Sequence, residues 1–377
     1  MTARIPFLDL TPRADAHDVR AAIERVIARG WFILGPEVEA FESEFATAMG
    51  AAHAVGVGNG TDAIALILRA LGIGPGDEVI TTPLSAAYSA LAVMMTGARP
   101  VFADIDRDRL TLDPEQAARA IGPRTRAILP VHLYGQPADM TALERLAARH
   151  DLAIVEDCCQ AHLATTGGRP VGTIGVAGAF SFYPTKNLGA LGDGGAVVTN
   201  DRALAERIRR LRNGGQTDRY HHGEPGINSR LDEIQAAILR ARLAFLPQWT
   251  ARRRALAARY RAALGSGSAA GPDRIEVPLE QDPGHVYHLF VVRVHGVRDD
   301  LQAQLAADGV ETLIHYPLPI PRQPALAGQQ PADCPIAEEV CGEILSLPLH
   351  PGLSERDVDA VAGAVAGAVP LFQSGPR

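Results

Sequence analysis

The chain of 377 residues contains a single lysine, Lys186, among 36 Lys and Arg residues. Arginine cannot lose its proton near neutral pH, so it cannot serve as an amine nucleophile or a proton shuttle. A lysine that persists at one position is therefore a candidate for amine chemistry, above all for a Schiff base with a carbonyl compound. Composition alone gives equal weight to a lysine left by chance in a genome with biased codon usage. The neighbours of Lys186 decide between these two interpretations.

A second candidate segment is Asn59-Gly60-Thr61-Asp62, which opens a predicted helix after the short apolar strand 53–57. A small residue and a hydroxyl at a helix start present free N–H groups and a donor to an anion. In isolation, the segment is as well explained by a helix cap from Asp or Thr.

A third candidate is Asp157, which follows the apolar strand 152–155 at the mouth of the predicted sheet. Strand-end aspartates often bind metals or cap helices, but companion carboxylates are lacking, so we expect no metal. A carboxylate here suits a pyridine nitrogen, which it keeps protonated and electron-withdrawing. Together with Ser181 and Lys186 at the next strand end and the anion cradle at Thr61, it describes a pocket for pyridoxal 5'-phosphate.

The predicted elements place these residues on one edge of a sheet. Short apolar strands alternate with helices from residue 53 to residue 199, which indicates an α/β fold with a mostly parallel sheet covered on both faces. Ligands bind such sheets at the carboxyl ends of the strands. We expect a large cofactor-binding domain at 1–250, with an N-terminal helical segment, and a smaller α+β domain at 251–377, with a linker near 265–272.

Composition excludes several classes of function. The net charge of −7 and the pI near 6.0 argue against general binding of nucleic acid or of a membrane surface. The four cysteines lack metal-ligand spacing, and neither a signal peptide nor an apolar run of spanning length is found, so a reduced cytoplasmic location is expected. The run Arg252-Arg253-Arg254 is interpreted as a solvated helix face.

Over nearly its whole length the chain resembles the DegT/DnrJ/EryC1/StrS family of sugar aminotransferases, within the fold-type I pyridoxal-phosphate enzymes. The motifs that carry the resemblance are long and occur in order. They are residues 30–36 with Phe41-Glu42, then 59–63, 76–80, 156–162, 181–195, 228–237, 315–317 and 346–351. The resemblance implies a seven-stranded, mostly parallel sheet sandwiched by helices, and a homodimer whose active sites are shared between subunits.

The resemblance also implies a role for each matching residue. Lys186 would form the Schiff base with the cofactor, Asp157 would pair with its ring nitrogen, and Gln160 would lie near its hydroxyl edge. The cofactor phosphate would be held by Gly60, Thr61 and Ser181, and by Asn228 of the other subunit. The substrate side would include Tyr183, Arg219, Tyr220 and His222, although Arg219 and Arg230 are equally suited to structural ion pairs.

One departure from the family concerns the aromatic residue over the cofactor ring. The family usually has an aromatic shortly after the position of Pro83, whereas this chain has Ala87 there and Tyr88 one place later. Either Tyr88 stacks on the ring after a small shift, or stacking is weaker and comes from elsewhere. An ordinary core aromatic is an equal alternative for Tyr88.

The resemblance implies transfer of an amino group from glutamate to a nucleotide-linked keto-sugar. The run 182–195 is most similar to enzymes that act at C3 of dTDP-3-keto-6-deoxyhexoses, as in deoxysugar pathways of antibiotics, whereas enzymes acting at C4 more often have His where Tyr183 stands. Related dehydratases have His in place of the lysine, so Lys186 argues against dehydration. A regulatory protein that binds the cofactor without turnover, or a module that binds sugar nucleotides, remains a competing interpretation.

Overall fold

The structure is a computed structural model that describes residues 4–11, 14–265, 275–277, 279–326 and 333–368. Its strands are short, and three strands of the main sheet are buried along their whole length, namely 78–81, 177–181 and 195–199. The strands are β1 (His53–Val57), β2 (Glu78–Thr81), β3 (Arg99–Phe102), β4 (Thr125–Leu129), β5 (Ala153–Asp157), β6 (Thr165–Thr166), β7 (Arg169–Pro170), β8 (Ala177–Ser181), β9 (Gly195–Thr199), β10 (Ile275–Glu276), β11 (Phe290–Val294) and β12 (Ile344–Leu347).

Several helices begin where a polar side chain caps their free N–H groups. Asp113, Asp139 and Asp201 accept hydrogen bonds from backbone N–H groups at the starts of the helices 114–119, 140–150 and 202–211, respectively. The helices are α1 (Ala16–Arg29), α2 (Pro36–Ala48), α3 (Gly60–Ala70), α4 (Tyr88–Met95), α5 (Pro114–Arg119), α6 (Met140–His150), α7 (Arg202–Leu211), α8 (Glu233–Leu243), α9 (Leu246–Gly265), α10 (Arg298–Ala307), α11 (Pro335–Glu343) and α12 (Glu355–Ala368). Within the described ranges, no helix combines the length and apolarity needed to cross a bilayer.

The main sheet has seven strands in the order β1-β9-β8-β5-β4-β2-β3. Strand β9 pairs antiparallel with both of its neighbours, and the pairs from β8 to β3 are parallel. Helices α3 and α7 share an apolar core with one face of this sheet, and α2, α6 and α8 pack on the other. The carboxyl ends of β5 and β8 therefore lie side by side, which brings the segments after Asp157 and Ser181 together.

The C-terminal part of the chain has its own sheet and its own apolar core. Strands β10, β11 and β12 form an antiparallel sheet that packs with α9, α10 and α12. The N-terminal residue Ile5 joins this core and pairs with Val310. A smaller C-terminal α+β unit is thus confirmed, whereas its boundary at residue 250 stays a prediction and linker residues 266–272 lie outside the described ranges.

Helix α8 begins at Glu233, because the backbone before it pairs with Asn213 and Ile33 instead of with itself. One local expectation is wrong. The solvated face predicted for 252–254 fails at Arg253, whose side chain is turned into the protein and is only 4% exposed.

Candidate active site

The helix start at Asn59 forms an anion cradle. Asn59 is the N-cap of α3, and its Oδ1 accepts the N–H of Asp62 at 2.8 Å. Gly60 and Thr61 are the first two residues of the helix, and among the described residues no acceptor faces their N–H groups. The cap is therefore neither Thr61 nor Asp62, and two N–H groups point out of the helix where its dipole favours negative charge.

Gly60 is required by the close approach of two neighbouring segments. A Cβ at this position would lie 2.7 Å from Sγ of Cys159 and 2.9 Å from Cβ of Ser181. Ser181 is nearly buried at the end of β8, and its Oγ accepts the N–H of Tyr183 at 3.3 Å. The cradle, the end of β8 and the turn after β5 thus meet at one point.

Asp157 ends β5 and is 5% exposed. Its Oδ2 accepts the hydroxyl of Ser89 at 2.7 Å, and its Oδ1 accepts the N–H of Cys159 at 3.1 Å. These two bonds fix the plane of the carboxylate. Ser89 was not among the predicted site residues, although a hydroxyl in the first turn of a helix that follows a strand end was a signal for such a role.

The carboxylate of Glu156, next to Asp157, has a structural role. Glu156 accepts three backbone N–H groups of residues 172, 174 and 175, at 2.7, 2.8 and 2.7 Å, and its Oε2 lies 3.0 Å from Nε2 of His132. Nδ1 of His132 accepts the N–H of Ala138 at 3.1 Å. With Cys158 these groups are close enough to hold a metal, but the ring nitrogens and carboxylate oxygens are already used to anchor the end of β5.

Lys186 lies in the loop after β8, where its N–H donates to the carbonyl of Tyr183 at 2.8 Å. Burial lowers the pKa of its amine, with Cys159 and Asp157 acting in the opposite direction. A lowered pKa increases the fraction of neutral amine, the form that attacks a carbonyl or accepts a proton.

Three imidazoles interact electrostatically with the amine and have lowered pKa values. Burial, and then the charge of Lys186, lowers the pKa of His162 to about 3 and that of His315 to about 4. The same causes bring the pKa of His288 well below its ordinary value. The amine is therefore the titrating cation of this pocket, and the histidines add no competing positive charge at neutral pH.

Gln160 is tied on both sides. Its Oε1 accepts the N–H of Tyr134 at 2.7 Å, and its Nε2 donates to the hydroxyl of Tyr316 at 3.2 Å. Burial raises the pKa of Tyr316 to about 12, and the charges of Asp157 and Tyr88 act in the same direction. Tyr316 therefore belongs to the pocket, a position that the motif His315-Tyr316-Pro317 had not revealed.

Tyr88 is not a core aromatic, because its side chain is 64% exposed at the start of α4. Ala87, at the position where the family has its ring, is partly buried against an apolar cluster. Tyr88 directly precedes Ser89 and interacts electrostatically with Tyr316. The aromatic ring thus borders the pocket, and its stacking on a cofactor stays a prediction.

The predicted substrate residues are exposed and lie in two places. Tyr183 is exposed beside the Lys186 loop. Residues 216–222 form a small hairpin, in which the guanidinium of Arg219 lies 5.5 Å from the ring centroid of Tyr220 and Nδ1 of His222 lies 2.7 Å from the carbonyl of Gly214. No contact within the described ranges joins this hairpin to Lys186.

Asn228 also lies at the surface, paired with Asn213. Its neighbour Ser229 ties this segment to the cradle, since its Oγ donates to Oδ2 of Asp62 at 2.7 Å. Arg230 makes a 2.9 Å hydrogen bond to Asn213 instead of an ion pair with Glu233. The carboxylate of Glu233 accepts N–H groups at the start of α2.

The pocket fits pyridoxal 5'-phosphate. Two unpartnered N–H groups next to Ser181 suit its phosphate, Asp157 suits its ring nitrogen, and Lys186 suits its aldehyde. Cys159 lies between these groups, as its contact with the Gly60 position and its electrostatic interaction with Lys186 show. The geometry thus supports the chemistry expected from the sequence.

Comparison with known proteins agrees with this geometry. A transaminase from Streptomyces venezuelae, dTDP-3-amino-3,4,6-trideoxy-alpha-D-glucose transaminase, is 52% identical over 96% of this chain and 96% of that protein. The erythromycin biosynthesis sensory transduction protein EryC1 of Saccharopolyspora erythraea is 50% identical over 97% of this chain and 100% of its own length. The crystal structure of S. venezuelae DesV in complex with a ketimine intermediate matches with a TM-score of 0.92 and 50% identity, covering 100% of both chains.

The predicted fold class, the cofactor and the aminotransferase class are confirmed by these similarities. A family-level comparison matches residues 13–366. The chain belongs to the DegT/DnrJ/EryC1/StrS aminotransferase family.

Proposed function

We propose that this enzyme transfers an amino group from glutamate to C3 of a dTDP-linked 3-keto-6-deoxyhexose. The observation that carries the proposal is the location of the only lysine, which shares one pocket with Asp157 and the α3 cradle. Support for C3 comes from the Streptomyces transaminase, which is named for a product that carries its amino group at that carbon.

Each residue of the pocket has a task in this reaction. Bound pyridoxal phosphate supplies an electron sink for the carbanion that forms beside the amino group. Nζ of Lys186, whose lowered pKa favours the neutral form, takes the proton from the α-carbon of the amino donor and returns a proton in the second half-reaction. Asp157, oriented by Ser89, holds the proton of the ring nitrogen.

The N–H groups at the start of α3 and the side-chain amide of Gln160 would fix the position of the cofactor. The N–H groups of Gly60 and Thr61 and the hydroxyl of Ser181 would bind the phosphate. Gln160, held by Tyr134 and Tyr316, would border the hydroxyl edge of the ring. A rigid frame of this kind positions a reacting group without an entropic cost at each turnover.

The proposal includes a homodimer in which the exposed segments complete the partner's pocket. Large apolar side chains are exposed at Trp31, Phe32, Ile33 and Leu191, which is unusual for a surface that faces only water. The hairpin with Arg219, Tyr220 and His222, and the surface residue Asn228, would reach the cofactor and the nucleotide sugar across this interface. A cytoplasmic location belongs to the same proposal and suits the four free thiols.

The test is incubation of the purified enzyme with glutamate and a panel of dTDP- and UDP-linked keto-sugars, followed by NMR of the product. We expect an amino group at C3 of a dTDP sugar, with ping-pong kinetics. Amination at C4 would refute the regiochemistry and leave the class of reaction intact. Size-exclusion chromatography with light scattering tests the dimer.

A second candidate is a regulatory protein that binds the cofactor without turnover. The name of the Saccharopolyspora relative favours this function, because it describes sensory transduction. The intact Lys186 and Asp157 favour catalysis. Absence of any amino transfer across the panel, with a normal absorbance band of the bound cofactor, would decide for the regulatory function.

A further inference from the structure

A cavity of about 590 Å³ adjoins the Lys186 loop. It lies between that loop, the start of α9, the turn at 350–352 and the N-terminal segment 8–15. Lys186, Arg242, Arg252 and Arg253 line it together with the carboxylates of Asp9 and Asp15. It is therefore a cationic cavity with direct access to the reactive loop.

Two of the three arginines that line this cavity are paired with carboxylates. Arg242 forms an ion pair with Asp15 at 2.8 Å, and Arg252 forms one with Glu355 at 3.1 Å. Asp9 accepts the N–H of Thr11 at 2.9 Å. Arg253, by contrast, has no carboxylate partner within the described parts of the chain.

Arg253 is engaged on one edge only. Its Nη1 donates to the carbonyls of Tyr287, His288 and Leu349 at 3.3, 3.1 and 2.8 Å. Its Nε is buried without an acceptor, and its Nη2 makes no hydrogen bond to any described residue. Burial lowers the pKa of Arg253 to about 10, so the group is still charged at neutral pH.

A buried, unpaired cation is costly, and an incoming anion lowers that cost. Nη2, which has no acceptor among the described residues, can donate to a carboxylate oxygen, and hydrogen bonds between a guanidinium and a carboxylate are charge-assisted. A diphosphate carries more charge than this single guanidinium can neutralise, and the neighbouring arginines are already paired.

We propose that Arg253 binds a carboxylate of the dicarboxylic amino donor in this cavity. The proposal rests on the proposed function, since it assigns the donor's binding site next to Lys186. It makes Arg253 a substrate-binding residue that is specific to the first half-reaction. The keto-sugar would not depend on it.

The test is calorimetric titration of the cofactor-loaded enzyme with glutarate, a dicarboxylate that has no amino group and cannot react. We expect glutarate to bind, and Arg253→Met to weaken this binding about 10- to 100-fold, as expected for a lost hydrogen-bonded charge pair. Arg253→Lys keeps the charge but loses the planar guanidinium and its Nη2 donor, so an intermediate loss is expected. Titration with dTDP should give the same affinity in all three proteins.

A matched control is Tyr260→Phe. Tyr260 also lies on α9, and its hydroxyl donates to the carbonyl of Pro348 at 3.0 Å, so the variant removes a comparable anchor outside the cavity. Glutarate affinity should survive in this variant. Unchanged glutarate binding in both Arg253 variants, or a loss for dTDP equal to that for glutarate, would overturn the assignment.

The two proposals fail separately. If no keto-sugar is aminated but glutarate binding still depends on Arg253, the proposed function falls and the carboxylate site stands. If amination proceeds from glutamate while Arg253→Met binds glutarate normally, the carboxylate site falls alone. Should Arg253→Met not fold, Arg253→Lys carries the same comparison.

Discussion

Replacement of Ser89 by alanine tests whether Asp157 faces the ring nitrogen of the cofactor. The change removes the hydroxyl donor 2.7 Å from Oδ2 and leaves the N–H of Cys159 at 3.1 Å from Oδ1. Hydrogen bonds to charged groups contribute about 1.5–3 kcal/mol. Because Ser89 and Asp157 are both nearly buried, water replaces the donor poorly. We expect the cofactor-free protein to lose about 1.5–3 kcal/mol of unfolding free energy.

The cofactor should restore part of this loss. A protonated ring nitrogen gives the carboxylate of Asp157 a second donor, so the loaded variant is expected to lose less stability than the cofactor-free variant. By linkage, the affinity for pyridoxal phosphate then does not fall and rises by up to about tenfold, since 1.4 kcal/mol corresponds to a factor of ten.

The assays are urea unfolding of the cofactor-free protein and absorbance titration with pyridoxal phosphate. Ser85→Ala is the matched control, because Ser85 is also buried in the segment before α4 but makes no hydrogen bond to Asp157. A cofactor affinity at least tenfold weaker in Ser89→Ala than in wild type would refute the assigned geometry. An unchanged stability of the cofactor-free variant would refute the hydrogen bond itself.

Three further predictions follow from the same pocket. Lys186→Ala should abolish both amino transfer and the covalent attachment of the cofactor that borohydride reduction makes permanent. Turnover at the wild-type rate would refute the role of the lysine. Gly60→Ala adds a Cβ 2.7 Å from Sγ of Cys159 and should cost about 1–3 kcal/mol in thermal or urea unfolding; an unchanged melting temperature would contradict the close approach. Burial lowers the pKa of His162 from 6.5 to about 3. The neutral imidazole therefore stabilises the fold fully above pH 6.5. This contribution is lost as the pH falls from 6.5 towards 3, at about 1.4 kcal/mol per pH unit. His162→Phe should therefore reduce the slope of the unfolding free energy against pH between pH 6.5 and 3, and leave that slope unchanged at pH 8, as measured by urea unfolding.

Much of the site could be predicted because its residues lie at the ends of neighbouring strands. Alternation of short apolar strands with helices predicts a parallel sheet, and in such a sheet the carboxyl ends share one edge. Asp157 and Ser181 follow this rule at the ends of β5 and β8, and the single lysine follows in the next loop. Local sequence was sufficient here because each residue is positioned by its own strand.

The partners of these residues could not be predicted, because they come from distant parts of the chain. Ser89 reaches Asp157 over 68 positions, and Tyr316 reaches Gln160 over 156. No local pattern records which loop will pack against a given strand end. The same limit explains Arg253, which looked like part of a solvated run until the packing of α9 on β11 turned it inward.

The sequence by itself thus determined the chemistry of this protein, through one amine, one strand-end carboxylate and one helix start. Tertiary packing decided which groups orient that chemistry and which charges stay unpaired. The physical reason is that the type of a side chain sets what it can do, whereas its desolvation and its hydrogen-bond partners depend on contacts that form only when distant segments pack.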